Sequence, residues 1–387
     1  MIGMSAVIFI PDDTAKTGYP QPLMLQSVMG APLLAWLANA LFDSGVGRFF
    51  LVCHDRYVEV ARACLPAEAE VMTTMDSDPA DLLHVFLSTA EDAEHTITVV
   101  TGPAVYLPQL APQAAGRFPR VYGVSREELM QALDEHFSFA RFLLDNGSPM
   151  NEEQAMYSVA SPAELPEIAG LLQRNRLLAL ARTGVEIYDA SSCYVEPSVR
   201  VAPGARLLPG TMLRGKTVIG EEAVIGPWSV IDDSVIGARA VVNASQVRES
   251  RVGQDAVVGP YASVRGGCEL GRSVRAGSFV ELKNARLGEN TQVPHLAYLG
   301  DTEAGANCNF GCGVTTANFD RVQKHETVVG EGAFIGCNTA LIAPLQVGSG
   351  AYIGAGSTIT EDVPAQALGI ARARQSNKKE WAAKHKK

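Results

Sequence analysis

Aliphatic residues recur every six positions through much of the second half of the chain. Two runs keep this spacing without a slip: Val195, Val201, Leu207, Leu213, Ile219, Ile225 and Ile231, and later Val329, Ile335, Leu341, Val347, Ile353 and Ile359. A period of six fits neither a helix, with about 3.6 residues per turn, nor an alternating strand, with a period of about two. It predicts a hexapeptide parallel β-helix, in which each repeat is a short strand followed by a turn and the aliphatic side chains fill one stacked core.

Glycine directly follows the inward aliphatic residue in many repeats. The positions are Gly220, Gly226, Gly237, Gly253, Gly259, Gly330, Gly336, Gly348 and Gly354. We expect them at corners, where a Cβ would be crowded or φ must be positive. Because three repeats make one coil, a coil should take about eighteen residues, and residues eighteen apart should stack. Residues 193 to 360 then allow roughly nine coils.

The chain changes character near Gly184. Of its 36 glycines, eleven precede residue 190 and twenty-five follow it. Before that point the strand-like runs SAVIFI (5–10), RFFLV (48–52) and TITVV (96–100) alternate with the helix-like segments APLLAWLANALFDSG and DPADLLHVFLSTAED. This order predicts βαβ units, hence a parallel sheet with helices on its faces. A further helix is predicted over residues 166–182, just after a capping box of Ser161 and Glu164.

The predicted fold class is therefore α/β plus all-β. We expect a Rossmann-like α/β domain over residues 1–160 and a connecting helix over 161–190. The β-helix should span 191–371, and a basic tail, RARQSNKKEWAAKHKK, should span 372–387.

Charge and composition exclude several classes of function. Lys+Arg 32 against Asp+Glu 42 gives a net charge of −10, which argues against general binding to nucleic acid or to anionic membranes. No segment reaches the length of a membrane span, and the N-terminal run AVIFI follows no Lys or Arg. The seven cysteines fit reduced thiols better than a disulfide framework. We therefore expect a cytoplasmic protein.

Motifs in the second half match one known family in order and spacing. They are VGPYASVRGG, GSFVELKNARLG, VPHLAYLGD, NFGCGVTTANFD and IARARQSNKKEW. From about residue 158 onward, the chain resembles the acetyltransferase half of the bacterial bifunctional N-acetylglucosamine-1-phosphate uridyltransferase / glucosamine-1-phosphate acetyltransferase. The resemblance implies a left-handed β-helix, acetyl-CoA as co-substrate and an amino-sugar phosphate as acceptor, in UDP-N-acetylglucosamine biosynthesis. It also implies a homotrimer with sites in the grooves between subunits.

Acetylating an amino sugar requires an unprotonated amine. An amine with a pKa of about 8 is largely ammonium at pH 7, so a base is needed, and a histidine titrates in the right range. The resemblance makes His295, in PHLAYLG, the catalytic base. Glu281 lies two residues before Lys283 and should face the same side of its strand, where it is expected to orient or support the imidazole.

A sugar phosphate needs cations and hydrogen-bonding groups. The resemblance implies a substrate-binding set of Arg265, Lys283, Tyr298, Asn309, Asn318, Phe319 and Lys324. Arg265 and Lys283 match the phosphate-binding pair, and a guanidinium suits bidentate phosphate contact. The family's NYDG stands here as NFDR, so Phe319 lacks a hydroxyl and Arg321 adds bulk in the loop expected to cover the substrate.

Acetyl-CoA is expected along the outside of the coils. Cys312, Cys337 and Ala355 match small positions beside the thioester and pantetheine, and the last two, eighteen apart, should stack on one corner. The backbone N–H of Cys312 is expected to donate to the oxyanion. Arg372 matches a contact to the nucleotide phosphate. The pair CNFGC has no second cysteine pair beside it, so no metal site is predicted.

The N-terminal domain resembles the nucleotidyltransferase half of the same family in its scaffold alone. QPLMLQSVMGAPLLAWL follows the family pattern, but FIPDDTAKTGYP replaces the glycine-rich phosphate loop. Leu23 stands for the lysine, Pro103 for the metal-binding aspartate, and the connector's asparagine is missing around Ala160 and Ser161. A triphosphate and its Mg²⁺ need these groups. We expect a shortened domain that holds no Mg²⁺ and has lost uridyltransferase activity.

Several interpretations stay open. The first is a trimeric acetyltransferase with a vestigial N-terminal domain. The second is another β-helix enzyme, such as a zinc-dependent carbonic anhydrase, which needs several convergent histidines where the solenoid has His295 and His325. The third is a non-catalytic or regulatory paralogue, for which Phe319 is the local hint. A bifunctional enzyme with a divergent uridyltransferase domain is a further alternative.

Overall fold

The chain divides into two compact units. A computed structural model describes residues 4–74, 79–90, 95–110, 120–135, 139–150 and 155–385. The first unit comprises Met1–Thr183 and Tyr194–Val199, and the second comprises Gly184–Cys193 and Arg200–Lys387. Residues 78, 91 and 92 of the second predicted helix, and the last two residues of the basic tail, lie outside the described residues.

One sheet forms the centre of the first unit. Across its described part the strand order is Glu70–Thr74, Arg48–Val52, Ser5–Phe9, Thr96–Val100, Val121–Ser125 and Ser148–Met150. The first four strands are parallel, and the last two are each antiparallel to the strand before. The parallel sheet predicted from three strand-like runs is thus confirmed, and an antiparallel edge extends it. Two small antiparallel pairs join Ala104–Tyr106 to Met156–Ser158 and Ser27–Val28 to Ala31–Pro32.

Helices cover both faces of this sheet. The described helices are Thr14–Thr17, Leu33–Phe42, Val58–Ala63, Ala80–Ser88, Arg126–Asp134, Phe139–Asn146 and Leu165–Arg182, with 3₁₀ turns at Leu23–Leu25, Asp55–Tyr57 and Pro162–Glu164. Alternate residues of the first strand enter two separate cores, because successive side chains of a strand point to opposite faces. Across the described ranges, no helix has the length and apolar character needed to cross a membrane.

The helix Leu165–Arg182 matches the helix predicted over residues 166–182. The capping box predicted ahead of it, from Ser161 and Glu164, is wrong. A 3₁₀ turn, Pro162–Glu164, precedes the helix. The Glu164 N–H therefore donates to the backbone carbonyl of Ser161, at 3.2 Å, and not to its hydroxyl. The Glu164 carboxylate does reach back to the Ala160 N–H, at 3.4 Å. The reciprocal capping box is not formed.

Short parallel strands of the second unit stack into three walls. Wall A contains Met212–Arg214, Val230–Asp232, Gln246–Arg248, Ser263–Arg265, Thr315–Ala317, Ala340–Ile342 and Thr358–Ile359. Wall B contains Arg200–Val201, Val218–Ile219, Val235–Ile236, Arg251–Val252, Glu269–Leu270, Thr327–Val329 and Leu345–Val347. Wall C contains Glu186–Ile187, Arg206–Leu207, Val224–Ile225, Val241–Val242, Val257–Val258, Asn309–Phe310, Phe334–Ile335, Tyr352–Ile353 and Leu368–Gly369.

Two long strands, Arg275–Leu287 and Gln292–Ala304, cross all three walls in the middle of the solenoid. The first pairs with wall C at Val257, wall A at Ser263 and wall B at Glu269. The predicted class, an α/β domain followed by a left-handed parallel β-helix, is confirmed.

The corners explain the glycines. A Cβ on Gly237 would lie 2.6 Å from the backbone nitrogen of Gln254 in the next coil, so no larger residue fits. Gly259 has φ +100°, a conformation that side chains disfavour. Both reasons expected from the sequence occur, and both apply at Gly259, where a Cβ would also lie 2.0 Å from the Asn243 carbonyl oxygen.

The spacing of eighteen does not hold throughout. Met212 aligns with Val230, eighteen residues on, but Val230 aligns with Gln246, sixteen residues on. Thr302 aligns with Thr327, twenty-five residues on, because the intervening loop, residues 318–326, stands out from the corner between walls A and B. The missing or added residues all fall in turns, since the ladder of parallel strands allows no insertion within itself.

Candidate active site

The corner between walls C and A carries His295. The strand register aligns His295 with Ser278 of the preceding coil. On either side of His295, Gln292 aligns with Asn309 and Tyr298 with Thr315, seventeen residues on in both cases. The same offset brings Cys312 next to His295 along the corner.

Cys337 and Ala355 continue this column of the corner. Hydrogen bonds between coils follow it: the N–H of Gly313 donates to Leu296, that of Asn338 to Cys312 and that of Gly356 to Cys337, at 2.7 to 2.8 Å. Cys337 and Ala355 are exposed and Cys312 is half-buried. A row of small side chains therefore leads away from the imidazole, and we call it the corner groove: His295, Cys312, Cys337 and Ala355.

Arg372 lies at the far end of the corner groove. Its Cδ is 3.7 Å from the place where a Cβ on Gly356 would stand. The preceding residue is anchored there, because the Ala371 N–H donates to Ser357 Oγ at 3.2 Å and the Thr358 N–H donates to the Ala371 carbonyl at 3.0 Å. The guanidinium is exposed beyond the groove.

The imidazole of His295 is exposed and has no hydrogen-bond or ion-pair partner among the described residues. The expectation that Glu281 orients it is not met in this chain. Glu281 instead forms an ion pair with Arg265, whose Nη2 donates to Oε1. The reason lies in the register, because Glu281 aligns with Ser263 and Tyr298 on wall A, whereas His295 lies at the corner.

Wall A gathers the predicted cations. Arg265 and Lys283 are partners in adjacent coils, so their side chains leave the wall side by side. Lys324 approaches from the loop 318–326. The Lys324 ammonium lowers the pKa of Lys283, because it can donate a hydrogen bond to the neutral Lys283 amine and repels the protonated form. Burial and Arg265 lower this pKa further, whereas Asp301 raises it. Three cationic side chains therefore lie near one another on this wall, together with the Asp301 carboxylate.

Tyr298 and Asn318 meet over Gly300. A Cβ on Gly300 would lie 2.5 Å from the Tyr298 hydroxyl and 2.8 Å from Asn318 Nδ2, so glycine is the residue that leaves room for them. Asn318 Nδ2 donates to one oxygen of Asp301, and Asn284 Nδ2 donates to the other at 2.6 Å. A hydroxyl, two amides and a carboxylate thus lie on the same wall as the cations.

Asn309 lies apart from this cluster, whereas Phe319 follows Asn318 and pairs with Lys324 across the loop. Asn309 is on wall C, between Gln292 and Phe334, whereas Tyr298 and Asn318 follow the corner on wall A. Phe319 is exposed on the loop 318–326. Arg321 has φ +82°, in the left-handed region that costs a side-chain-bearing residue roughly 1–2 kcal/mol, and nothing in the structure explains why glycine does not stand there.

A metal centre finds little support in the described ranges, where no group of three or more His, Cys, Asp or Glu residues is placed to hold an ion. Of the two solenoid histidines, His325 contacts Asp320, with Nε2 to Oδ2 2.7 Å apart, and His295 stands on another corner. Among the described residues, these two histidines therefore do not converge on one point.

Two aspartates lie in the turn after the first strand of the first unit. After strand Ser5–Phe9, Asp13 Oδ1 accepts the N–H of Leu23, at 2.9 Å, and Asp12 pairs with Arg56. The Leu23 side chain is buried in the core, where no substrate could meet it. A Cβ on Gly102 would lie 2.7 Å from Arg120 Nη1, so a guanidinium borders the position expected for a metal ligand. Asp12 and Asp13 thus hold the turn after this strand through Arg56 and the Leu23 N–H.

The sequence did not predict the positioning contacts of three residues near the site. Asp301, Asp320 and His325 hold Asn318 and the loop in place. The signal for Asp301 was its position after Gly300 in LGD, and the signal for the other two was their spacing of five around a turn. Pairwise contacts across a turn of irregular length do not follow from a periodic pattern.

Comparisons with known proteins find relatives of the C-terminal portion of the chain. Residues 326–361 match the model described as bacterial transferase hexapeptide (six repeats). The protein named Bifunctional protein GlmU from Clostridium perfringens (strain SM101 / Type A) is 41% identical over 240 residues, which are 62% of this chain and 53% of the relative. The protein of the same name from Clostridium kluyveri (strain NBRC 12016) is 43% identical over 237 residues, 61% of this chain and 52% of the relative.

The chain thus spans about half the length of the curated relatives it matches. The resemblance inferred from the motifs is confirmed for the C-terminal portion. Among solved structures, the inositol-1-phosphate CTP transferase from T. maritima has a TM-score of 0.35 and 12% identity, over 46% of this chain and 97% of that chain. The fold described above rests on strand pairing and not on this likeness.

The proximity of Lys324 to Lys283 predicts a reactivity. A lowered pKa leaves more of the Lys283 side chain as neutral, nucleophilic amine at pH 8. In Lys324→Gln the pKa should rise toward its ordinary value, so Lys283 should react more slowly with acetic anhydride. Competitive labelling followed by mass spectrometry measures this, with Lys216 of the same protein as the internal reference. An unchanged or faster rate at Lys283 would show that the two ammonium groups do not interact.

Proposed function

We propose that the second unit transfers the acetyl group of acetyl-CoA to the amine of glucosamine-1-phosphate or a related amino-sugar phosphate. This reaction would belong to UDP-N-acetylglucosamine biosynthesis in the cytoplasm. The observation that carries the proposal is the arrangement of a histidine, a groove of small side chains and a cation cluster. His295 begins the corner groove, and Arg265, Lys283 and Lys324 converge on the adjoining wall.

His295 would act as the general base. Its imidazole is exposed and unengaged by other described residues, so it is available to take a proton from the substrate ammonium or from the attacking amine. The neutral nitrogen attacks the thioester carbonyl, the C–N bond forms, and the C–S bond breaks. The CoA thiolate then takes up a proton, and the acetamide and CoA leave.

The backbone N–H of Cys312 would stabilise the oxyanion. It donates to no carbonyl among the described residues, although the neighbouring Gly313 and Asn338 N–H groups do. A free, fixed donor one coil from the base suits charge that develops on the thioester oxygen. Cys337 and Ala355 leave space for the pantetheine, and Arg372 provides a cation for a CoA phosphate.

Phosphate binding would fall to Arg265, Lys283 and Lys324. An anion among them relieves the repulsion that lowers the Lys283 pKa, so binding is favoured by charge and by the prior arrangement of the groups. The Arg265–Glu281 pair fixes the guanidinium direction. Tyr298 and Asn318 are near enough to one another to bind a single sugar ring, and Phe319 and the rest of the loop 318–326 would cover it.

We also propose that the protein is a homotrimer. One corner of the solenoid carries Trp228, Ala244, Tyr261, Phe279 and Leu296 in register. The four large side chains of this row, Trp228, Tyr261, Phe279 and Leu296, have 71, 63, 62 and 58% of their surfaces exposed. An apolar row of this length favours burial against another surface. It ends beside His295, and Asn309 lies on a different wall from Tyr298, so a second copy would bring the two halves of a site together.

For the first unit we propose a scaffold role without nucleotidyl transfer. Such transfer needs cationic groups around a triphosphate and carboxylates that hold Mg²⁺. Here Asp12 and Asp13 are engaged by Arg56 and by the Leu23 N–H at the expected phosphate edge, and Leu23 is buried. No Mg²⁺ requirement is therefore proposed.

The base assignment predicts a kinetic effect. His295→Ala should lower kcat roughly 10²–10⁴-fold, the usual contribution of a positioned base, with little change in the KM for acetyl-CoA. Steady-state assays of CoA release measure both constants. The matched control is His54→Ala, an exposed histidine of the first unit, which should keep the wild-type rate. Full turnover by His295→Ala would rule out the assigned role.

The apolar row predicts an assembly effect. Wild-type protein should sediment at three times the chain mass, and Phe279→Glu should shift the equilibrium toward the monomer, because a buried unpaired carboxylate is costly. Tyr188→Glu, at an exposed tyrosine outside the row, should leave the trimer intact. A wild-type monomer with full activity would contradict the trimer and the shared groove.

The first unit predicts a negative result. Purified protein incubated with UTP, Mg²⁺ and N-acetylglucosamine-1-phosphate should release no pyrophosphate above a heat-killed control. Sustained release would mean that residues other than Leu23 and Pro103 hold the triphosphate and metal, and the scaffold role would be wrong.

A further inference from the structure

We propose that Asp320 is the positioning residue of the phosphate site: it folds the loop 318–326 so that Lys324 is held against Lys283. The contacts of Asp320 stand independently of the reaction, but the kinetic consequence rests on the proposed function. The loop is the one long insertion in the described coils of the solenoid, so its shape is not set by the strand ladder.

A single carboxylate closes the loop. Asp320 Oδ1 accepts the N–H of Val322 at 2.7 Å and that of Gln323 at 2.8 Å. Its other oxygen, Oδ2, lies 2.7 Å from His325 Nε2. The Asp320 N–H in turn donates to the Gln323 carbonyl, at 3.2 Å. One side chain thus fixes both the tip of the turn and its returning strand.

These contacts determine where Lys324 lies. Phe319 and Lys324 form an antiparallel bridge across the turn, and the His325 N–H donates to the Asn318 carbonyl at 2.8 Å. Packing adds little, because Val322 is 87% exposed and Phe319 is 61% exposed. Hydrogen bonds therefore restrain the turn that carries Lys324, and the Asp320 carboxylate is the side chain that accepts two of them and contacts His325.

The restraint opposes a repulsion. Lys283 and Lys324 carry like charges, and the Lys324 side chain lowers the pKa of Lys283. A loop free to move would carry Lys324 away from Lys283. The Gln323 N–H, then His325 and the Val322 N–H, hold the pKa of the Asp320 carboxyl well below its usual range, so Asp320 is ionised and a strong acceptor at neutral pH. The hydrogen bonds to Asp320 thereby offset the repulsion between the two lysines before phosphate binds.

The effect should appear in one kinetic constant. Asp320→Ala should raise the KM for the amino-sugar phosphate roughly tenfold, while kcat and the KM for acetyl-CoA stay within about twofold. Asp320→Asn keeps an acceptor for the two backbone N–H groups and loses the charge. Its KM for the amino-sugar phosphate should therefore fall between those of the wild type and Asp320→Ala. Asp233→Ala is the matched control: Asp233 also accepts a backbone N–H, that of Lys216 at 2.8 Å, in a distant turn of the same solenoid.

A double-mutant cycle tests whether Asp320 acts through Lys324. In a Lys324→Ala background, Asp320→Ala should add little to the KM for the sugar phosphate. Fully additive effects, or a parallel loss of kcat and both KM values in Asp320→Ala, would overturn the positioning role and leave a general structural one.

Two measurements without turnover separate this proposal from the proposed function. Hydrogen–deuterium exchange of the peptide covering residues 318–326 should speed up in Asp320→Ala and not in Asp233→Ala. Calorimetric titration with inorganic phosphate should show binding weakened in Asp320→Ala by roughly the same tenfold as the KM. If wild-type protein binds phosphate in this Asp320-dependent way but acetylates no amino sugar, the proposed function fails and the positioning role stands. Unchanged exchange and unchanged phosphate affinity would overturn the positioning role itself.

Discussion

The hydrogen-bonded stacking of one coil on the next determines the rest of the second unit. Each parallel strand bonds to its neighbour in the following coil, so a residue at one position of a coil lies directly beside its counterpart in the next. Side chains far apart in sequence consequently line up in columns. The aliphatic columns point inward and form the core, where the inward leucines and isoleucines of the regular repeats are almost fully buried. The outward columns are free to carry chemistry, because changing them does not disturb the ladder.

The candidate site is built from two such columns and one departure from the repeat. The column of the corner groove extends from His295 past Cys312 and Cys337 to Ala355, and the neighbouring column on wall A contains Arg265 and Lys283. The departure from the repeat is the loop 318–326, which brings Lys324 near Arg265 and Lys283. Regular stacking supplies rigid spacing between His295, the corner groove and the cations. Under the proposed function, the loop would add a cover over the sugar that a flat wall does not provide. A site of this kind needs few special residues in an otherwise monotonous sequence.

Much of this follows from the sequence, and the remainder has identifiable physical causes. The period of six predicts the coils, and the motifs predict which outward residues to examine, because both are local and repetitive. The spacing of eighteen fails where turns lose or gain residues, as between Val230 and Gln246, since a turn tolerates changes that a strand does not. The Arg265–Glu281 ion pair was not predicted, because periodicity places Glu281 on wall A but does not determine which side chain it contacts. The positive φ of Arg321 was not predicted either, because residue preferences assign such backbone conformations to glycine.

The central claim, acetyl transfer directed by a bound phosphate, is tested most directly by comparing two acceptors. Wild-type full-length protein is given acetyl-CoA with either glucosamine-1-phosphate or glucosamine, and CoA release and N-acetylated product are measured together. The account predicts equal amounts of CoA and product, with kcat/KM for the phosphorylated sugar higher by on the order of 10² or more, because the paired cations would otherwise be left without an anion. No product from either acceptor, or equal kcat/KM for the two, would contradict it.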